Sequence, residues 1–138
     1  MIAVAAGYLA ALADAGDARH ARALASLHTQ HQGWITSWPA LTVACQVPGS
    51  RLGTHFSAAL LDDAAEGKLA SWTPGNDGVA RIPGLMRKHA SLPMDLADAS
   101  LGLVAEHLGH RHVLSTDKRD FGADRRKRHQ PFDNLLAA

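Results

Sequence analysis

Four aspartates fall in one stretch, Leu92 to Phe121, as two pairs: Asp95 with Asp98, and Asp117 with Asp120. Asp95 and Asp98 stand three apart at the start of an expected helix, so they share roughly one side of it. Asp117 directly follows an apolar strand, Val113-Leu114-Ser115. In open α/β sheets, sites form outside the carboxyl ends of strands. A helix-borne and a strand-end carboxylate brought together there suit a hard divalent cation such as Mg²⁺. Asp95, in the first helical turn, also suits a structural role, because the helix dipole favours a carboxylate there. Asp120 fits a local cap or ion pair. Ser115 offers a hydroxyl either to a metal shell or phosphate, or to a turn hydrogen bond.

Directly after this stretch comes the one clear basic cluster: Lys118, Arg119, Arg125, Arg126, Lys127 and Arg128, with His129 beside it. It suits contact with a nucleic-acid backbone, which is strongly salt-dependent, and equally a solvated loop. The nine histidines invite a zinc reading. Neither His107, His110 and His112 nor His28 with His31 forms the helix-borne H-E-x-x-H, and a lone cysteine gives no thiolate set. Cys45 is expected as a small buried apolar residue. No glycine-rich nucleotide-cradling pattern occurs. Trp34, Trp38 and Trp72 flank expected strands and read as core or interface residues, with base stacking as the lesser alternative.

These groups need elements to position them. The 138 residues suit one domain, residues 1–138, and 46% hydrophobic content suffices for a core. A formal charge of +1 carries no overall nucleic-acid signature, and one cysteine excludes an intramolecular disulfide and fits a reducing cytoplasm. No apolar run approaches the ~20 residues of a membrane span. Met1-Ile2-Ala3-Val4 lacks a basic leader and reads as a first strand, Ile2 to Ala5.

Helices are expected at Tyr8–Ala13 and at Ala18–Gln30, the latter with Ala21, Leu24, Ala25 and Leu27 as its apolar stripe. Trp34–Thr36 follows as a strand, and Pro39–Gln46 and Arg51–Glu66 as helices. A strand Leu69–Thr73 precedes a helix, Gly78–His89, that must bend or break near Pro83-Gly84. Pro93 opens the Asp95/Asp98 helix and Gly109 closes it. His112–Ser115 is the next strand, and Phe132–Leu136 a fifth, at an edge. Strands alternating with helices argue for a parallel sheet covered on both faces.

With that order of elements, Met94-Asp95-Leu96-Ala97-Asp98-Ala99-Ser100-Leu101 followed by Leu114-Ser115-Thr116-Asp117-Lys118-Arg119-Asp120-Phe121 resembles the PIN-domain family, specifically the VapC-type toxins. Ala6-Gly7, Gly16 to Arg22, Trp38-Pro39-Ala40-Leu41-Thr42 and Arg51-Leu52-Gly53 support the likeness. The resemblance implies a flavodoxin-like, three-layer α/β/α sandwich around a mainly parallel sheet of four to five strands. It implies an Mg²⁺- or Mn²⁺-dependent ribonuclease, homodimeric and cytoplasmic, held inactive by a cognate antitoxin.

In such a site Asp98 and Asp117 match the helix acid and the strand-end acid, with Asp95 assisting at the metal. Ser115, Lys118, Arg119, Arg125 and Arg126 are then candidate RNA contacts. The family's first acid, before the Ala-Gly pair, falls on Ala5. Its second, after the Thr of the Trp-Pro block, falls on Val43, and an acid often present before the Leu-Pro falls on Ser91. The site implied is therefore half complete. Its activity is expected to be weakened or lost, and the alternative is a non-catalytic module that binds RNA or an antitoxin.

Overall fold

The computed structural model describes residues 1–27, 32–46, 53–88 and 94–116, and the backbone of 133–134. Five strands form one parallel sheet: β1 (Ile2–Val4), β2 (Trp34–Ser37), β3 (Leu69–Trp72), β4 (His112–Leu114) and β5 (Asp133–Asn134). The helices are α1 (Ala6–Ala13), α2 (His20–Leu27), α3 (Trp38–Cys45), α4 (Gly53–Ala65), α5 (Asn76–Lys88) and α6 (Leu96–Leu108). The sheet order is β3-β2-β1-β4-β5, and every pairing is parallel. The chain builds outward from β1 to β3, then crosses to the other side of β1 for β4. The switch of direction lies between β1 and β4, so the crevice that open α/β sheets use for ligands opens at the carboxyl ends of these two strands.

Side-chain alternation along β1 explains the layers. Ile2 and Val4 join Tyr8, Leu9, Ala23, Leu60 and Leu114 in the core of one face. Ala3 and Ala5 join Ala97, Leu101, Val104 and Val113 on the other, where α6 packs. Small side chains on both partners of this second layer let α6 lie close to the sheet. α3 serves both layers, with Leu41 and Ala44 in the first and Ala40 in the second. A third cluster, Ile82, Ala99 and Leu103 with Trp72 against it, fixes α5 to α6. The architecture is the expected α/β sandwich, and β5 stands at an edge beside β4 as expected.

One expectation fails and another is narrowed. In α2 the buried side chain is Ala23, whereas Ala21, Leu24 and Ala25 are exposed. Alanine-rich sequence leaves the phase of a short helix open, and Tyr8 settles it: its hydroxyl meets Ser26 Oγ at 2.5 Å, on the turn after Ala23. Of the bend or break expected near Pro83-Gly84, the break does not occur: α5 is one helix through Pro83. Pro83 is exposed, as is Val79 one turn earlier, so the helical donor that proline lacks is lost at the surface and not in the core.

Candidate functional site

α6 begins on a reciprocal capping box. Asp95 Oδ1 accepts the Asp98 backbone N–H at 2.9 Å, and Asp98 Oδ2 accepts the Asp95 N–H at 3.2 Å. Both carboxylates therefore satisfy amides that the first turn leaves without helical partners. Asp95 is exposed and Asp98 half-buried.

The two apolar positions lie nearby. Ala5, 6% exposed, packs in the same cluster as Ala97, the neighbour of Asp98. It is also the N-cap residue of α1 and supplies no side-chain cap. Val43 is 43% exposed and lines a groove with Asp95, Leu96 and Ala97. Position 43 therefore looks across a groove at the start of α6.

The strand-end acid motif is tied in through its described neighbours. Leu114 O accepts the Ala5 N–H at 2.9 Å. A Cβ placed on Gly7 would lie 2.5 Å from Thr116 Oγ1, so the glycine permits this close approach of α1 to the turn before Asp117. Asp117, Lys118, Arg119, Asp120, Arg125 and Arg126 lie outside the described residues, as does Ser91. Ser115 is buried at 2% exposure.

Sequence reasoning singled out Ser115 but missed the rest of the polar floor of this region. Thr36, Ser37, Ser100 and Ser115 are buried among otherwise apolar core, at the ends of β2 and β4 and in the first turns of α6. Thr36 Oγ1 donates to Val4 O at 2.7 Å, joining β2 to β1. Ser100 Oγ donates to Ala97 O at 2.6 Å, so its contact with Ser37 Oγ at 2.5 Å is one in which Ser37 donates. Ser37 Oγ in turn accepts the Ala40 N–H at 3.1 Å and caps α3. This directed chain of bonds holds the starts of α3 and α6 together. Two serines so far apart in sequence carry no local signal of their partnership.

Of the core or interface role expected for the tryptophans, Trp38 does not take the core one. Trp34 and Trp72 pack against the core, but Trp38 is half exposed and lines the groove. His110, beside β4, is occupied with the chain itself. His110 Nδ1 accepts the His112 N–H at 3.2 Å, so its Nε2 donates to Met1 O at 2.9 Å.

Among the described residues no three His, Cys, Asp or Glu side chains come together to hold a metal ion. Asp98 offers a carboxylate, whereas Ala5 and Val43 offer no oxygen. Among the described residues these oxygens are too few for two cations. Asp117, the other acid that the resemblance assigns to the site, lies outside the described residues. Also among the described residues, no helix is long and apolar enough to cross a membrane.

No family model matches the chain, and no curated protein matches it. A solved structure does: VapC20 of Mycobacterium tuberculosis, described as a toxin that cleaves the sarcin-ricin loop, superposes with a TM-score of 0.77 at 22% identity, over 86% of this chain and 91% of that one. The chain thus has a PIN-like, VapC-like fold.

Proposed function

We propose that this protein is a VapC-like, toxin-type PIN ribonuclease whose hydrolysis is weakened or lost because Ala5 and Val43 stand at two of the four acid positions. The observation that carries this reading is the convergence at one crevice: Ala5 packs with Ala97, Val43 faces the start of α6, and Thr116 crosses Gly7. The substrate class is RNA, cleaved at a phosphodiester bond.

Asp98 and Asp117 would hold one Mg²⁺ or Mn²⁺, with Asp95 joining through water. Such an ion, when bound, activates water and stabilises charge on the phosphate. Lys118, Arg119, Arg125 and Arg126 neutralise the RNA backbone, and Ser115 supports the turn that leads to them. Asp98 keeps its capping duty in either state, so binding the ion does not require α6 to rearrange. The missing acids set the size of the impairment. Loss of a supporting partner beyond the ligands reduces metal affinity or activity about 10–100-fold, and loss of a ligand reduces it at least as much.

The second reading is a module that binds RNA or a cognate antitoxin without turnover, in a homodimer in the cytoplasm. The exposed, apolar side chain of Val43 favours it. Calorimetry with Mn²⁺ on the intact chain and on Asp98→Asn separates the two. One weak site that disappears in the variant supports the ribonuclease. Absence of binding to the intact chain removes it and leaves the module.

A further inference from the structure

Three large apolar side chains that are exposed on this molecule meet at one place. Trp38 is 50% exposed, Val43 43% and Leu96 53%, and all three line the groove of 370 Å³ between the starts of α3 and α6. Pro39, Thr42 and Ala97 complete its walls, and Asp95 is the one charged residue among them. The volume lies in the ordinary range for a small-ligand pocket, ~300–1,000 Å³. The capping box uses Asp95 Oδ1 and leaves Oδ2 with no protein donor among the described residues.

We infer that this groove is a subsite for one unpaired nucleobase of an RNA strand, guanine in preference to uracil, with Trp38 stacking on the base and Asp95 reading its donor edge. The inference rests on the reading of the protein as one that binds RNA, and it names the part of the RNA that this groove takes.

The chemistry of the lining selects the occupant. A phosphate is repelled by Asp95. A purely apolar side chain would cover the carboxylate without giving it a donor, which is unfavourable. A base has a π-face for an exposed indole and hydrogen-bonding groups on its edge, the combination by which single-stranded RNA is commonly recognised. Guanine carries N1–H and N2–H₂ side by side, matching the two oxygens of a carboxylate. Oδ1 still has a second lone pair beside its bond to the Asp98 amide. Uracil offers one N–H between two carbonyls, which a carboxylate disfavours. Val43 contributes in its own right: an acid at that position would add a second negative charge to a wall that here is apolar.

The test uses the intact chain without divalent metal, so it needs neither a metal site nor cleavage. GMP and UMP are titrated separately while the Trp38 indole N–H is followed by NMR and the total tryptophan fluorescence by quenching. GMP is expected to shift Trp38 and to bind about tenfold more tightly than UMP. Trp38→Ala should weaken GMP at least tenfold, and Trp38→Phe, which keeps an aromatic face, no more than about threefold. Asp95→Asn retains a good N-cap, yet should abolish the preference for GMP. Equal binding of GMP and UMP, or no shift of Trp38 by either, overturns the subsite. A shift of Trp38 by N-acetyl-leucine amide but not by GMP also overturns it and makes the groove a protein-docking surface. Failure here leaves the Mn²⁺ calorimetry untouched, and failure of the calorimetry leaves this measurement standing.

Discussion

The first turns of α1 and α6 both start at the carboxyl edge of the sheet, and they are built in opposite ways. α6 opens on two acids whose side chains close a reciprocal capping box. α1 opens on Ala5, which caps nothing with its side chain, and is held instead by buried Tyr8, Leu9 and Ala11. One helix is fixed by polar chemistry at its end, the other by packing along its length. Asp95 and Asp98 therefore have structural work whether or not a metal binds. Their presence identifies the fold better than it identifies an activity. At positions 5 and 43, where the resemblance to VapC-type toxins implies acids, the residues are apolar.

Breaking the polar link between α3 and α6 should have the largest effect on stability. Ser100→Ala deprives the buried Ser37 hydroxyl of its acceptor and should destabilise the chain by about 1–3 kcal/mol in urea unfolding. Ser37→Ala should cost a similar amount, since it also removes the α3 cap. The double variant should cost clearly less than the sum, because both changes break one chain of bonds.

Next comes the cap of α6. Asp95→Ala should cost about 1 kcal/mol, and Asp95→Asn much less, by the same unfolding measurement. If Asp95→Ala were neutral, the contrast between the two helix starts would fail.

The packing side of the comparison is tested by Tyr8. Its hydroxyl is held above the usual phenol pKa by burial, an effect that the Ser26 hydrogen bond partly opposes. A raised folded-state pKa means that this contribution is fully present below the unfolded value of about 10 and is lost as pH rises from there through the folded-state pKa. Stability measured across that alkaline range should fall more steeply for the intact chain than for Tyr8→Phe. The smallest effect is expected at α1 itself: Ala5→Ser supplies the absent cap and should raise stability by about 0.5 kcal/mol.

Much of this was legible from sequence. Apolar runs such as Ile2-Ala3-Val4 and Val113-Leu114 sit in the sheet because strands covered on both faces are continuously apolar. The Asp95/Asp98 spacing marked the start of α6, and Gly109 marked its end with a φ of 78°. What stayed hidden depended on distant partners. Ser37 and Ser100 look like ordinary polar residues until the fold joins them. The phase of α2 needed Tyr8 from another helix, and the sequence left Trp38 open between core and interface because it flanks a strand. Asp117 and the basic cluster remain sequence expectations, because they lie outside the described residues.

The most direct test of the central claim is cleavage of single-stranded RNA in Mg²⁺ by the unmodified chain and by Ala5→Asp/Val43→Glu, each with and without Asp98→Ala. On the proposed reading the double substitution supplies the two absent acids and should raise the rate at least about 100-fold, with the gain lost when Asp98 is removed. An unmodified chain that cleaves as fast as the doubly substituted one, and that depends on Asp98 to do so, would contradict the account.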